Sequence, residues 1–300
     1  MGTPDFAVAS LDALLKEGYD IAGVVTAPDK PAGRGQKIHE SPVKQYAIAK
    51  GLQVLQPLKL KDPEFHQQLK SLNADLQVVV AFRMLPEVVW SMPPKGTINL
   101  HGSLLPKYRG AAPINWAVIN GETETGVTTF FLQQEIDTGN IILSRSVPID
   151  ENETAGQVHD KLMITGAELL VETVKAIESG TIEPIPQAQI HSEEDLPQAP
   201  KIFKEDCQIN WNQSARKVYN LIRGLSPYPA AYTIFKDKTL KIYAGELLNK
   251  EPGIQPGGFL SDGKTYLKFA CLDGFLCVRD IQLEGKKRMT VEEFLRGFRP

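Results

Sequence analysis

The chain has 300 residues, 42% of them hydrophobic and 23% charged, which is typical of a globular protein large enough to hold two domains. It contains no apolar run close to the ~18 residues of a membrane span, and its polar opening does not resemble a signal peptide, so we expect a cytoplasmic protein. The three cysteines, Cys207, Cys271 and Cys277, lack metal-type spacing and indicate reduced thiols.

The net charge of −3 is distributed unevenly along the chain. Residues 204–300 carry 16 Lys and Arg against 11 Asp and Glu, whereas residues 1–203 carry 17 against 25. A basic second half favours a polyanionic partner, although an ordinary solvated surface gives the same imbalance.

The first two hundred residues alternate short apolar runs with amphipathic segments. The runs predict strands over residues 21–26, 76–82, 96–100, 126–133 and 140–148. The segments between and after them predict helices over residues 8–17, 42–49, 62–72, 113–119 and 154–178. This alternation predicts an α/β fold with a Rossmann-like open, mostly parallel sheet.

The opening segment Gly2–Phe6 is typical of a turn that follows a first strand, yet no strand precedes it. Loss of a buried parallel strand would expose apolar surface on its neighbours. We therefore expect Met1 to be the end of an omitted strand, and a chain extended upstream to be more soluble and more stable.

The character of the sequence changes after residue 180. Residues 183–203 are rich in Pro, Gln, Glu and Asp, as linkers are, and follow a predicted first domain over residues 1–182. Residues 204–300 combine one predicted helix, 214–225, with short strands and turn signals such as Asp273-Gly274. We expect a small OB-like β-barrel there, a fold that suits contact with RNA.

The densest group of chemically capable residues follows the strand predicted at 96–100. Asn99 and His101 are two residues apart, so an extended chain projects both side chains to the same face. An amide donor and an imidazole placed together polarise a carbonyl and stabilise the oxyanion formed by attack on it. The alternative interpretation is that Asn99 caps a turn and His101 is a structural histidine.

The segment from Asn99 to Ile114 resembles the active-site signature of the folate-dependent formyltransferase family, and the resemblance extends over nearly the whole chain. It implies the formyltransferase fold and a catalytic trio of Asn99, His101 and Asp137. It also implies a group of residues that bind the folate, two stretches of chain at the predicted strand ends: Ser103, Leu104, Leu105 and Pro106, with Phe82, Met84 and Leu85. The sequence Phe82-Arg83-Met84 departs from the commonest aromatic-Gly pattern of the family, which leaves the placement of Arg83 open.

The resemblance implies that 10-formyltetrahydrofolate is the formyl donor and tetrahydrofolate the product. Asn99 and protonated His101 would stabilise the oxyanion formed when an amine attacks the formyl carbon, and Asp137 would orient the imidazole. The amine proton goes either to His101 or to a water held with Asp137. This chemistry requires no metal and no nucleophilic cysteine.

The acceptor is indicated by features outside the trio. The Gly-rich basic segment 29–37 resembles the loop that meets the acceptor end of tRNA in those family members that act on charged tRNA. The resemblance implies initiator methionyl-tRNA as partner, bound through a set of basic residues: Arg34, Lys37, Lys201, Lys204, Lys286, Lys287 and Arg288. Such residues supply salt-dependent phosphate contacts.

Two alternatives remain at this point. One is a formyltransferase acting on a small-molecule amine, and the other is a non-catalytic module that binds RNA or folate. Nothing in the sequence calls for a membrane or an obligatory protein partner.

Overall fold

The computed structural model describes residues 1–32, 37–190 and 196–297. The fold divides into two compact units. The first comprises Met1–Arg109, Gly126–Val147 and Asp160–Pro197, and the second comprises Gly110–Thr125, Pro148–His159 and Gln198–Pro300.

The helices lie in both units. They are α1 (Asp5–Lys16), α2 (Pro42–Ala49), α3 (Pro63–Ser71), α4 (Glu87–Trp90), α5 (Pro113–Ile119), α6 (Ala155–Ser179), α7 (Ala215–Gly224) and α8 (Val291–Gly297). In the described parts of the chain, none of them has the length and apolar character needed to cross a membrane.

The strands likewise fall in both units. They are β1 (Val24–Val25), β2 (Lys30–Ala32), β3 (Lys37–His39), β4 (Val54–Leu55), β5 (Gln77–Val80), β6 (Thr97–His101), β7 (Arg109–Gly110), β8 (Glu124–Phe131), β9 (Ile141–Pro148), β10 (Gln198–Ala199), β11 (Ala231–Phe235), β12 (Lys238–Leu248), β13 (Phe259–Ser261), β14 (Leu267–Ala270), β15 (Phe275–Leu283) and β16 (Met289–Thr290).

The starts of helices in the first unit follow from local capping. Ser41 precedes Pro42, and its Oγ accepts a hydrogen bond from the backbone N–H of Lys44 at 3.1 Å. A capping serine followed by proline at the first helical position satisfies an otherwise unpaired donor and fixes a helical φ. The predicted helix at 42–49 is confirmed to the residue.

The main sheet of the first unit has the strand order β5-β6-β8-β9. β5 and β6 are parallel, with Val80 opposite Leu100, and β6 and β8 are antiparallel. The predicted α/β sheet is confirmed, with the difference that it is mixed: β8 follows β6 through α5 and returns in the opposite direction. Residues that follow β5 and β6 therefore leave the same edge of the sheet, which is where open α/β sheets bind ligands.

The backbone of Met1 and Gly2 lies between β1 and β5. Gly2 N donates to Val25 O at 3.0 Å, and Val80 N donates to Met1 O at 2.9 Å. A Cβ atom on Gly2 would lie 2.4 Å from the Cβ of Ala7, so only glycine fits there. A cavity of about 370 Å³ adjoins this junction and is bordered by β1, β5 and α1. The expectation of a strand upstream of Met1 stays a prediction.

Several elements differ from the expectations. β1 covers only two residues of the strand predicted at 21–26, because few of those residues find a neighbouring strand. β2 and β3 pair antiparallel within the segment expected to be a loop, with Lys30 opposite His39. The helix α8 was not predicted, because its apolar residues Val291, Phe294 and Leu295 form too short a pattern.

The second unit contains a six-stranded sheet of order β11-β12-β15-β14-β13, with β16 beside β15. Its pairings are antiparallel, and the sheet curls into a half-barrel, which confirms the predicted barrel-like domain. Lys236 and Asp237 form the two-residue turn between β11 and β12, with φ of 47° and 62°. Val218 and Ile222 of α7 are buried in the core of this sheet. The domain boundaries stay a prediction.

Candidate active site

Asn99 and His101 lie at the carboxyl end of β6, on the same side of the strand. His101 is buried, whereas Asn99 is half-buried and faces Phe130 across the strand pair. Within the described residues, the side-chain amide of Asn99 makes no hydrogen bond to the protein. Its donor hydrogens are therefore available to a ligand at the edge of the sheet.

The orientation of the His101 ring is set by the loop that follows it. Its Nε2 lies 2.9 Å from the backbone carbonyl oxygen of Tyr108. Because a carbonyl only accepts hydrogen bonds, Nε2 carries the proton and Nδ1 is the basic nitrogen of the neutral ring. Tyr108 has φ of 61°, and its own N–H is bonded to Pro197 O, so the backbone holds this carbonyl in place.

Asp137 faces the other ring nitrogen. Its Oδ2 lies 3.8 Å from Nδ1 of His101, too far for a direct hydrogen bond and close enough for a charge interaction with an imidazolium. Asp137 lies in the loop between β8 and β9, as predicted, and has φ of 54°. The structure thus brings His101 and Asp137 together and places Asn99 on the same strand face as His101.

The loop that carries Asp137 is packed tightly against β8. A Cβ atom on Gly139 would lie 1.7 Å from the carbonyl oxygen of Phe131, so the chain passes there only because residue 139 is glycine. Gln187 Nε2 also donates to the carbonyl oxygens of Asp137, at 2.8 Å, and Gly139, at 2.9 Å. Gln187 was missed by the sequence analysis, because it lies in the segment expected to be a linker.

Thr128 holds the predicted folate-binding segment Ser103–Pro106. Its Oγ1 donates to Ser103 O at 2.7 Å and accepts from Leu105 N at 3.2 Å. The hydroxyl of Ser103 donates to Lys107 O at 2.7 Å, so it serves the loop itself. Ser103, Leu105 and Pro106 are buried, which leaves the half-buried Leu104 as the accessible side chain of the segment.

The second predicted folate-binding stretch, which contains Phe82, Met84 and Leu85, follows β5 at the same edge. Phe82 is half-buried, Met84 is 69% exposed and Leu85 is buried. Arg83 donates to Leu58 O at 3.0 Å and to Pro57 O, and its guanidinium lies over the ring of Phe82. Burial lowers the pKa of Arg83. Arg83 therefore joins the segment after β5 to the segment that contains Pro57 and Leu58.

The predicted tRNA-binding residues fall into three groups. Arg34 lies outside the described residues, and only the backbone of Lys37 is described, in β3. The lysines Lys201, Lys204, Lys286 and Lys287 are exposed on the second unit.

Arg288 differs from these lysines. It forms an ion pair with Asp280, through Nε at 2.8 Å and through Nη2, and it lies over the Tyr243 ring at 4.2 Å. Asp280 raises the pKa of Arg288. The guanidinium is therefore engaged within the second unit.

The cysteines are free thiols, and Cys207 and Cys271 are buried. Burial raises the pKa of Cys271 to about 12 and also raises the pKa values of Cys207 and Cys277. Among the described residues, no three His, Cys, Asp or Glu side chains converge in a way that would hold a metal ion.

Comparison with known proteins assigns the family. The profile described as "Formyl transferase" matches residues 1–174, and the one described as "Formyl transferase, C-terminal domain" matches residues 201–299. The chain therefore belongs to the formyl transferase family, whose members use folate derivatives.

Individual relatives within the family show a more specific similarity. A methionyl-tRNA formyltransferase of Bacteroides fragilis is 56% identical over 303 residues, which is 99% of this chain and 94% of the relative. One of Bacteroides thetaiotaomicron is 57% identical over 304 residues, covering 100% of this chain and 94% of the relative. Among solved structures, the sugar 3N-formyl transferase WlaRD, in the presence of dTDP and 5-N-formyl-THF, has a TM-score of 0.67 at 22% identity, covering 95% of this chain and 97% of that chain.

Proposed function

We propose that this protein transfers the formyl group of 10-formyltetrahydrofolate to the amino group of methionine on initiator methionyl-tRNA, which prepares the tRNA for translation initiation. The observation that carries the proposal is the pairing of His101 with Asp137 beside the unbonded amide of Asn99. Relatives at 56% and 57% identity over nearly the whole chain bear the name of this activity.

The folate lies at the edge of the sheet where β5 and β6 end. Phe82 and Met84 offer an apolar wall after β5, and Leu104 offers apolar surface after β6. Leu85, Ser103, Leu105 and Pro106 support these contacts from within the protein. An apolar cleft with a few convergent polar groups is the usual setting for a ring system that carries a reactive group.

The reaction proceeds through one tetrahedral centre. The methionine amine attacks the formyl carbon, a C–N bond forms, and the carbonyl electrons move to the formyl oxygen. Asn99 donates a hydrogen bond to this oxyanion, and the oxygen carries its negative charge only after the attack. When the oxyanion collapses, the bond to N10 of the folate breaks and N10 takes up the proton that the amine lost to His101, so formyl-methionyl-tRNA and tetrahydrofolate leave.

His101 accepts the proton that the attacking amine must lose. Its Nε2 is committed to Tyr108 O, so the lone pair of the neutral ring is on Nδ1. Protonation there creates an imidazolium that faces the Asp137 carboxylate at 3.8 Å. Asp137 stabilises this charge in a partly buried setting, where charge interactions are stronger than in water.

The tRNA is held by basic residues in both halves of the chain. Lys201, Lys204, Lys286 and Lys287 are exposed on the second unit and contact phosphates, while Arg34 and Lys37 meet the acceptor end. Contacts of this kind give affinity that falls as salt rises and do not by themselves choose a sequence. The choice of the initiator tRNA resides in other contacts.

The test incubates the full chain with 10-formyltetrahydrofolate and charged initiator tRNA and measures formyl-methionine. We expect turnover with the charged tRNA and none with free methionine or an amino sugar nucleotide. Asn99→Leu is expected to lower kcat by about 10²–10³-fold, and His101→Ala by about 10²–10⁴-fold.

His66→Gln is the matched control, because His66 lies on α3 and bonds Leu60 O, away from β6. It is expected to keep wild-type turnover. Turnover of a small amine in place of tRNA would show a different acceptor, and folate or tRNA binding without turnover would show a non-catalytic module.

A further inference from the structure

We infer that Gln187 is a positioning residue for formyl transfer, which holds Asp137 and the carbonyl of Tyr108 on opposite sides of the His101 ring. The inference rests on the proposed function and extends it to a residue outside the sequence motifs. Gln187 opens a short 3₁₀ helix, Gln187–Gln189, and is 3% exposed.

The side-chain amide of Gln187 is fully used. Its Oε1 accepts from Arg109 Nε at 3.0 Å and from Arg109 Nη2 at 2.7 Å. Its Nε2 donates to Asp137 O at 2.8 Å and to Gly139 O at 2.9 Å. A primary amide has two donor hydrogens and two acceptor lone pairs, and each of the four has a partner of good length.

These bonds close a ring of contacts around the imidazole. His101 Nε2 is bonded to Tyr108 O, Arg109 is the next residue in the chain, and Gln187 joins Arg109 to the loop of Asp137. The carboxylate of Asp137 completes the ring at Nδ1 of His101. A single buried amide therefore sets the separation of the two groups that flank the ring.

The backbone of the Asp137 loop needs such support. Asp137 has φ of 54°, in the left-handed region that residues other than glycine rarely occupy. Strained conformations of this kind persist where surrounding contacts hold them, and they are common at active sites. The carbonyl of this residue is one of the two that Gln187 binds, so the strained residue is clamped directly.

A purely structural role makes a different prediction. If Gln187 only fixed the 3₁₀ helix to the sheet, its loss would lower stability and would lower activity only as far as the folded fraction fell. A positioning role lowers kcat of the folded enzyme, because a catalytic group displaced by about 1 Å costs as much as 10²-fold. Substrate binding would change little, since the Gln187 side chain is buried and offers no surface to a substrate.

Two substitutions separate these roles. Gln187→Glu keeps the acceptor for Arg109 but places a carboxylate oxygen against the carbonyls of Asp137 and Gly139. Only the hydrogen bonds to the Asp137 loop are therefore lost. Gln187→Ala removes the hydrogen bonds to the Asp137 loop and those from Arg109. Gln189→Ala is the matched control, because Gln189 lies in the same 3₁₀ helix and is exposed.

The experiment measures kcat, the KM for each substrate, Tm, and the ring ¹⁵N signals of His101 in histidine-labelled protein. We expect kcat to fall about 10- to 100-fold in both Gln187 variants, with each KM within about 3-fold of wild type. We expect Gln187→Glu to stay folded at the assay temperature and to shift the His101 signals. Gln189→Ala should match wild type in every measurement.

A Gln187→Glu protein with wild-type kcat, or one whose activity loss equals its unfolded fraction, would overturn the inference. An inactive wild-type protein would instead refute the proposed function. The ¹⁵N signals need no turnover, so a shift of His101 in Gln187→Glu would still support the positioning role, and unshifted signals would overturn it.

Discussion

Nε2 of His101 donates a hydrogen bond of 2.9 Å to the backbone carbonyl oxygen of Tyr108, seven residues further along the chain. This bond fixes the tautomer of the ring and directs Nδ1 toward Asp137. Because the acceptor is a backbone atom in a residue with φ of 61°, the orientation depends on the path of the loop. The chemistry of the site is therefore built on backbone geometry as well as on the three side chains.

Asp137→Asn should preserve the shape of the loop and remove the charge that faces Nδ1 of His101. We expect kcat to fall about 10²–10⁴-fold, with a small change in the KM for folate, because the imidazolium formed during transfer loses its partner. Steady-state kinetics with charged tRNA measure the effect. Glu135→Gln is the control, since Glu135 is exposed in the same loop, and equal kcat values for the two variants would contradict the assigned role.

Thr128→Val should loosen the Ser103–Pro106 segment without changing the volume of the core. The substitution leaves Ser103 O and Leu105 N without the partner that Thr128 Oγ1 provides. An unsatisfied buried polar group costs about 1–3 kcal/mol, so we expect a lower free energy of unfolding and a higher KM for folate. Urea denaturation and kinetics measure the two effects.

Thr129→Val is the control for this substitution. Thr129 bonds Thr173 Oγ1 at 2.8 Å on the opposite face of β8, so its loss should lower stability and leave the KM for folate unchanged. A raised folate KM in both variants would show that general destabilisation, and not the loop, controls folate binding.

The sequence predicts those parts of the fold whose signals are local. Pro42–Ala49 and Pro113–Ile119 are predicted to the residue because each begins with a proline, a residue favoured at the first turn and excluded from helix interiors. β1 is overpredicted, since an apolar run becomes a strand only where it finds a partner. Its length depends on distant residues that the run itself does not reveal.

The same distinction holds for the site. The spacing of Asn99 and His101 predicts that they share one strand face, whereas family resemblance assigns both of them, with Asp137, to the catalytic trio. Gln187 has no comparable signal, because its partners lie about 50 and 78 residues away in sequence and its own segment has linker composition. Contacts between residues so far apart in sequence form only when the whole chain folds, so local sequence patterns do not reveal them.

The cysteines should differ in their reaction with an alkylating reagent at pH 8. Burial raises the pKa of Cys271 to about 12, so its thiolate, which is the reactive form, is scarce at this pH. We expect Cys271 and Cys207 to stay unlabelled in the folded protein and all three cysteines to react in urea. Peptide mass spectrometry measures each site, and fast labelling of Cys271 under native conditions would contradict its burial.

Asp262 should make the stability of the second unit depend on pH. The hydroxyl and N–H of Thr265, with the N–H groups of Lys264 and Tyr266, bind its carboxylate and lower its pKa. A carboxyl whose pKa is lower in the folded state stabilises the fold above its unfolded pKa of about 3.9, and the effect is lost as pH falls through the folded pKa.

The difference in unfolding free energy between wild type and Asp262→Asn measures this effect. It should be constant above about pH 5 and shrink below about pH 4, where the unfolded carboxyl becomes protonated. A difference that stays constant down to pH 2 would show that the turn does not depend on the charge.

Lys286 and Lys287 should contribute to tRNA affinity in a way that Arg288 does not. Both lysines are exposed, and within the described residues their side chains have no partner, whereas Arg288 is paired with Asp280. Removing one cation that binds a phosphate lowers the slope of log K against log salt by about 0.7–0.9. The double variant Lys286→Ala, Lys287→Ala should therefore lower that slope by about 1.4–1.8 and leave the KM for folate unchanged.

A charge-matched double variant, Lys61→Ala with Lys70→Ala, is the control, because both lysines are exposed on the first unit near α3. Arg288→Ala is expected to lower Tm, since it breaks an ion pair and uncovers Tyr243, with a salt slope close to wild type. If the control reduces the slope as much as the Lys286 and Lys287 variant does, the tRNA responds only to net charge. Phosphate contacts would then not be localised at residues 286–287.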